Sequence, residues 1–145
     1  MIGVLMVCEG NICRSPIAQA FLERGLPSLA VRSAGTRALV GRHADPLAVE
    51  IARGRGMDIS CHVAQALSNE HVDEADLILT MTNAQRTLVF NHFPFARGKV
   101  FRLGEHEQID IVDPYQRNRA IFELAFAQIE HCVSKWCTDI ARLVH

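Results

Sequence analysis

One segment near the amino terminus places a cysteine and an arginine at a spacing that suits phosphate chemistry. It reads Val-Cys-Glu-Gly-Asn-Ile-Cys-Arg-Ser-Pro over residues 7–16, so that Cys8 and Arg14 are separated by five residues. A cysteine thiolate is a strong nucleophile, and an arginine guanidinium is a planar, charged fork for two phosphate oxygens. The pattern predicts a phosphate-sized anion held by Arg14 beside a nucleophilic Cys8.

The residues between and after these two fit an anion-binding loop that leads into a helix. Gly10 lets the backbone curl closely around an anion, and Asn11 tolerates a left-handed conformation. Ser15 is predicted to cap the helix, with Pro16 at its first position. The unpaired N–H groups and positive end of that helix favour both a bound phosphate and the thiolate form of Cys8. The alternative, an apolar strand cysteine followed by a solvated arginine, requires all these features to coincide by chance.

The rest of the chain alternates between short apolar runs and segments of helical period. This alternation predicts an α/β fold: a single domain with a four-stranded open parallel sheet, helices on both faces and the loop after the first strand. Ligands bind such sheets at the carboxyl ends of the strands, which is where the loop lies. Predicted strands cover residues 2–7, 29–33, 77–81 and 100–103, and predicted helices cover residues 15–24, 45–53, 83–91 and 118 to the end.

Composition excludes several classes of protein. The 145 residues are 49% hydrophobic and 21% charged, which suits one globular domain over residues 1–145. A formal charge of −1 argues against a nucleic-acid partner bound by a broad basic surface. No segment reaches the length of a membrane span or has the pattern of a signal peptide, so no stable membrane insertion is expected. The odd count of five cysteines predicts a reducing, cytoplasmic location.

At these residues the sequence resembles the low-molecular-weight protein tyrosine phosphatases. The loop over residues 7–16 is similar to that family's signature with Glu9 at its one free position, and Asp113-Pro114-Tyr115 resembles its acid loop. The resemblance covers nearly the whole chain, includes the segment over residues 33–36, and is closest to the bacterial branch associated with capsule and exopolysaccharide production. It implies the four-stranded parallel fold that the alternation predicts independently.

The resemblance implies a role for each site residue. Cys8 would form a cysteinyl-phosphate while Arg14 and the phosphate-binding loop hold its oxygens. Asp113 would act as general acid and base, with Asp110 as a competing candidate, and Ser15 would stabilise the thiolate. The remaining implied positions are the loop residues Glu9, Gly10, Asn11, Ile12 and Cys13, the substrate-cleft walls Leu39 and Tyr115, and the loop supports Ser33 and His62.

The sequence departs from the family pattern at several positions. Leu39 stands where animal members carry a bulkier aromatic residue, which suggests a more open cleft. Gln65-Ala66 replaces a frequent Arg-Gln pair, and Thr82 replaces a frequent acidic residue, so a supporting polar network is expected to differ. Glu9 is expected to repel acidic sequence around the phosphorylated residue.

The other cysteines leave alternatives open. Cys13 either forms a reversible disulfide with Cys8 or packs as a free thiol. Cys61, Cys132 and Cys137 are predicted to be buried or half-buried. Histidines without ligand spacing and the absence of Cys-x2-Cys pairs and glycine-rich nucleotide fingerprints predict no metal and no cofactor.

The predicted function is hydrolysis of phosphotyrosine in proteins. The resemblance suggests as partner a phosphotyrosine protein of capsule or exopolysaccharide production, such as an autophosphorylating membrane tyrosine kinase. One rival is an arsenate reductase on the same fold, which needs a relay of two further cysteines. Another is a noncatalytic phosphotyrosine-binding or thiol redox-sensing module, which would not need the full set of Cys8, Arg14 and Asp113.

Overall fold

The computed structural model describes residues 1–143, which form one open parallel sheet covered by helices. The sheet has the order β2-β1-β3-β4, so that β1 is central and the chain moves to opposite sides of it in turn. Its strands are β1 (Gly3–Cys8), β2 (Ala30–Gly35), β3 (Leu77–Thr80) and β4 (Val100–Arg102). The carboxyl end of β1 is therefore a topological switch point, where open α/β sheets bind ligands.

Five α-helices pack on the two faces of the sheet. They are α1 (Arg14–Gly25), α2 (Pro46–Gly54), α3 (Asn69–Glu74), α4 (Asn83–His92) and α5 (Arg119–Leu143), with a 3-10 helix over Pro94–Lys99. Successive side chains of a strand point to opposite faces. Accordingly Met6 packs in a core with α1, α2 and α5, whereas Leu5 and Val7 pack in a second core with α3 and α4. This explains why β1 is apolar throughout.

The predicted fold class is confirmed, with differences at the element ends. α1 begins at Arg14 and follows Cys13, so the prediction that Ser15 caps this helix was wrong. α2 begins at Pro46, and Asp45 caps it by accepting the Leu47 N–H at 2.9 Å. The short helix α3 and the 3-10 helix were not predicted. The prediction of helix to the chain end extends into residues 144–145, which lie outside the described residues.

The helix α5 is long but amphipathic. Phe122, Phe126 and Ile129 face the core, while its other side carries charged residues. Within residues 1–143 no helix combines the length and apolar character needed to cross a membrane.

Candidate active site

The loop between β1 and α1 is held from outside through its carbonyl groups. Every carbonyl from Cys8 to Ile12 accepts a hydrogen bond from a distant part of the chain, and the Cys13 carbonyl accepts one from Ile17 in the first turn of α1. The donors are the backbone N–H groups of Thr36, Arg37, Leu39, Asp45 and Ile17 and the ring Nε2–H of His62, at 2.7–3.3 Å. Since the N–H of a trans peptide points opposite to its carbonyl, these contacts turn the loop N–H groups toward the cavity. The loop therefore presents a set of inward donors at the amino terminus of a 12-residue helix, which suits an anion.

The sulfur of Cys8 lies at the base of this loop. It is 2.8 Å from Ser15 Oγ and accepts the Asn11 N–H at 3.2 Å. Because Ser15 Oγ also accepts the Asn11 side-chain N–H at 2.8 Å, its own hydrogen is free to point at the sulfur. Two donors thus converge on Cys8 Sγ and stabilise negative charge there.

Asn11 is fully buried and adopts a φ of 59°, in the left-handed region. Its side-chain nitrogen donates to Ser15 Oγ and, at 3.0 Å, to Ser33 Oγ. Its side-chain oxygen accepts the backbone N–H of Gln65 at 2.9 Å. His62 Nε2–H donates to its carbonyl at 2.7 Å, and burial lowers the pKa of His62 so that the imidazole is neutral near pH 7. The structure thus brings Ser33 and His62 onto one loop residue.

Gly10 has a different environment from the one its sequence position suggests. Its φ is outside the left-handed region, and an added Cβ would meet Ile12 and Leu39 at ordinary distances of 3.7–3.9 Å. Packing within the protein therefore does not require glycine at this position.

The Arg14 guanidinium projects into the same cavity although its residue is buried. Its Nη1–H donates to the Ile111 carbonyl at 3.0 Å, and Nη2 lies 3.6 Å from Asp113 Oδ2. The side chain of Arg14 is 5% exposed and that of Asp113 is 45% exposed. The arginine is therefore fixed in the wall, whereas the carboxyl group is accessible at the mouth.

The segment that carries Asp113 is anchored on both sides. The N–H of Ile111 donates to the Met81 carbonyl at 2.9 Å, and the Val112 N–H donates to Gln128 of α5 at 2.9 Å. Beyond it, the Tyr115 N–H donates to Asp113 Oδ1 at 3.1 Å, which orients the carboxyl group.

The competing acid, Asp110, is engaged away from the cavity. Its Oδ1 accepts the Asn83 N–H at 3.0 Å and Arg102 Nη1–H at 3.1 Å. The structure therefore places Asp113, and not Asp110, beside Arg14.

The cavity over the loop has a polar floor and a partly apolar rim. Cys8, Arg14 and Asp113 supply the polar groups, and Leu39 and Tyr115 supply the apolar walls. Glu9 and Arg37 complete the charged part of the rim, and Gly10, Ile12 and Cys13 complete the loop. This arrangement accommodates a phosphate at the base and a ring above it.

Three contributors to the site were missed from the sequence. Gln65 was noted only as a departure, yet its N–H holds Asn11. Gly35, at the end of β2, packs so closely that an added Cβ would overlap the Glu9 carbonyl oxygen. Arg37 lines the cavity directly. A glycine two residues after a predicted strand was the one available signal, since glycine at a strand end marks a close backbone approach.

The remaining cysteines lie away from the loop or are inert by burial. Cys13 is buried, and burial raises its thiol pKa far above the ordinary value. Cys132 is buried on α5, and Cys137 is half-buried with its sulfur against Gly25, at the opposite end of α1 from the loop. The prediction that Cys61 is buried or half-buried was wrong, because it is exposed on a turn.

The positions of the other cysteines do not supply the relay of two further thiols that an arsenate reductase needs.

Among residues 1–143, no group of three or more His, Cys, Asp or Glu side chains is arranged to hold a metal ion.

Comparison with known proteins gives consistent matches over the whole chain. The family model described as "Low molecular weight phosphotyrosine protein phosphatase" matches residues 3–145. The probable low molecular weight protein-tyrosine-phosphatase EpsP of Ralstonia nicotianae is 49% identical over 140 residues, covering 97% of each chain.

Two solved structures show the same fold. The tyrosine phosphatase AmsI of Erwinia amylovora superposes with a TM-score of 0.92 at 38% identity, covering 96% of this chain and 93% of its own. The arginine phosphatase YwlE of Geobacillus stearothermophilus superposes with a TM-score of 0.92 at 31% identity, covering 98% and 94% of the two chains.

Proposed function

The chain belongs to the low molecular weight phosphotyrosine protein phosphatase family, and on that premise we propose how its own residues hydrolyse phosphotyrosine. Cys8 is the nucleophile, Arg14 is the phosphate ligand, Asp113 is the general acid and base, and Ser15 stabilises the thiolate. The observation that carries this assignment is the outward anchoring of the five loop carbonyls from Cys8 to Ile12, which turns the loop N–H groups toward the cavity above Cys8 Sγ.

In the first step, the Cys8 thiolate attacks phosphorus and forms a sulfur–phosphorus bond. The bond between phosphorus and the tyrosine oxygen breaks, and Asp113 gives its proton to the departing phenolate. Arg14 and the loop N–H groups hold the equatorial oxygens, so that catalysis rests on positioning and on electrostatic stabilisation of the transition state.

In the second step, Asp113 accepts a proton from water while the water oxygen attacks phosphorus. The sulfur–phosphorus bond breaks, and inorganic phosphate and the Cys8 thiolate are the products. The Ser15 hydroxyl, which lies 2.8 Å from the sulfur, stabilises the returning thiolate and makes it a better leaving group.

The shape of the cleft supports an aromatic substrate over a phosphorylated arginine. Ile12, Leu39 and Tyr115 line the mouth, and these side chains offer apolar or aromatic contact to a phenyl ring. A guanidinium leaving group needs polar partners instead, and the carboxylates that line this cavity are Asp113, which already faces Arg14, and the exposed Glu9.

The proposal extends to the physiological substrate. We infer a phosphotyrosine protein of bacterial exopolysaccharide or capsule production, with an autophosphorylating membrane tyrosine kinase as the candidate partner. The support is the resemblance to the branch associated with that process. A Cys8→Ser substrate-trapping pulldown should retain a tyrosine-phosphorylated kinase, and retention of none would contradict this assignment.

The catalytic assignment is tested by turnover without added metal. Wild-type protein should hydrolyse p-nitrophenyl phosphate and a phosphotyrosine peptide, and rapid acid quenching should trap phosphate on Cys8. Cys8→Ser should abolish turnover, and Asp113→Ala should lower kcat about a hundredfold or more, because the leaving group loses its proton donor.

Assays with other substrates, run in parallel, distinguish the competing functions. Faster release of phosphate from phosphoarginine than from phosphotyrosine would select an arginine phosphatase. Thioredoxin-coupled reduction of arsenate would select the reductase. Binding of phosphotyrosine without turnover would select a noncatalytic module.

A further inference from the structure

A second depression adjoins the catalytic cavity and shares part of its wall. Glu9, Arg14, Arg37 and Asp113 line both spaces, so that the two open onto one another across the rim. The second space continues past Thr82 toward Leu88 on α4. A phosphotyrosine held over Cys8 leaves the neighbouring residues of its peptide at this rim.

Arg37 is the exposed cation at that junction. Its backbone is fixed, because its N–H donates to the Glu9 carbonyl at 2.9 Å, whereas its side chain is exposed. Within residues 1–143 no carboxylate lies within 4.0 Å of its guanidinium, and its side chain makes no hydrogen bond there. By contrast Arg14 is committed to Ile111 and Asp113, and Arg55 is paired with Glu123 and Glu130.

The charges on the rim have opposite signs on neighbouring residues. Glu9 is exposed beside the nucleophile, and Arg37 lies across the hydrogen bond that joins their two backbones. An acidic group on the substrate is therefore repelled where it approaches Glu9 and attracted where it approaches Arg37. A substrate with acidic residues on every side of the phosphotyrosine therefore does not match the charges of this rim.

We propose that Arg37 and the second depression form a subsite for an anionic group on the substrate chain, placed on one flank of the phosphotyrosine. The inference rests on the proposed function, since it concerns the peptide that delivers the phosphotyrosine. A carboxylate and a second phosphate share the required chemistry. Arg37 acts as a specificity residue because it contacts the flanking group and not the reacting phosphorus.

The test compares matched phosphotyrosine peptides that carry Glu or Ala at one flanking position at a time. For wild-type protein, kcat/KM should be about two- to fivefold higher with Glu at one flank, the size expected of a solvent-exposed ion pair. Raised ionic strength should reduce this ratio, because salt screens exposed charges. Arg37→Ala should bring the ratio to about one, and Arg37→Glu should bring it below one.

The matched control is Arg42→Ala. Arg42 lies in the same segment after β2 and is exposed, but it lines neither space. Its removal changes the net charge equally and should leave the ratio at the wild-type value. Glu9→Leu should raise kcat/KM on the acidic peptides more than it changes p-nitrophenyl phosphate hydrolysis.

A third peptide, with phosphoserine at the favoured flank, separates the two anion sources. A larger gain with phosphoserine than with Glu assigns the subsite to a second phosphate, and an equal or smaller gain assigns it to a carboxylate. Equal ratios for Arg37→Ala and Arg42→Ala, or no flank preference in an active wild-type enzyme, would overturn the subsite and leave the phosphatase assignment intact. Failure to hydrolyse any phosphotyrosine peptide would overturn the proposed function instead.

Discussion

Asn11 has the strained backbone of the loop, and the hydrogen bonds that support the loop converge on it. A left-handed backbone costs a residue other than glycine about 1–2 kcal/mol. The side-chain and backbone contacts to Ser15, Ser33, Gln65 and His62 offset that cost, with each hydrogen bond contributing about 0.5–1.5 kcal/mol net. Asparagine fits here because it tolerates the conformation and offers both a donor and an acceptor.

Removing the His62 ring should make the stability of the protein less dependent on pH. Burial lowers the pKa of folded His62 below 6.5, so folded His62 remains neutral at a pH where the unfolded imidazole binds a proton. Its contribution is therefore present above about pH 6.5 and is lost as the pH falls through the folded-state pKa. His62→Ala should lower the free energy of unfolding by about 0.5–1.5 kcal/mol at neutral pH, and the difference from wild type should narrow in acid.

Urea unfolding at several pH values measures this difference. His92→Ala is the control, because His92 is exposed at the end of α4, where its ring nitrogen hydrogen-bonds the Leu88 carbonyl of its own helix, away from the loop. A His62→Ala deficit that stays constant from neutral to acid pH would contradict the linkage.

At the scale of elements, the end of β2 and the turn after it form the outer support of the loop. The N–H groups of Thr36, Arg37 and Leu39 hold three successive loop carbonyls at 2.9–3.0 Å. Gly35 permits this contact, because any side chain there would occupy the space of the Glu9 carbonyl. The two segments therefore fold against each other as one unit.

Adding one methyl group at Gly35 should separate these segments. Gly35→Ala forces a Cβ against the Glu9 carbonyl and places it 3.1 Å from Ala38. Overpacking of this kind costs about 1–3 kcal/mol. Urea unfolding should show that loss, and kcat on p-nitrophenyl phosphate should fall as the loop shifts.

Gly54→Ala is the matched control. Gly54 ends α2, and an added Cβ would meet nothing within 4 Å. The substitution should leave kcat unchanged and stabilise the fold by up to about 1 kcal/mol, because alanine is the better helix former. Equal losses of activity in the two variants would refute the role of the close approach at Gly35.

The element pattern shows where sequence reasoning succeeds and where it stops. The strands and the long helices were predictable because apolar periodicity records which faces are buried. The capping role of Ser15 was not, because its hydroxyl is used by Cys8 and Asn11, contacts that only the folded loop creates. The helix α3 is six residues long and largely polar, so periodicity gave no signal, although Ser68 and His71 form its capping box.

At the scale of the whole molecule, the near-neutral chain binds an anion without a basic surface. The positive field comes from Arg14, from Arg37 at the rim and from the loop N–H groups, and formal charge does not count the N–H groups. The roles of the loop residues were predictable from sequence because these residues are contiguous and their spacing is visible in the chain. The bonds from His62 and Gln65 to Asn11 span 51 and 54 residues, and that from Arg14 to Ile111 spans 97, so they depend on the topology of the sheet. Residue spacing carries no record of such contacts.

The five cysteines should divide into two reactivity classes across the molecule. Burial raises the pKa of Cys13 and Cys137, and burial with the nearby Glu107 raises that of Cys132 to about 12, so these three thiols stay protonated at neutral pH. Cys61 is exposed and lies on a turn in which the His62 N–H donates to the Ile59 carbonyl at 3.1 Å.

Iodoacetamide at neutral pH, followed by peptide mass spectrometry, should therefore modify Cys8 and Cys61 first. Cys8 Sγ lines the open cavity and accepts the Asn11 N–H at 3.2 Å, so it faces the reagent directly. Inorganic phosphate should protect Cys8 by occupying the loop and should leave the rate at Cys61 unchanged, which makes Cys61 an internal control. Equal labelling of all five thiols would contradict this division, and phosphate protection of Cys61 would show that the effect is not local to the loop.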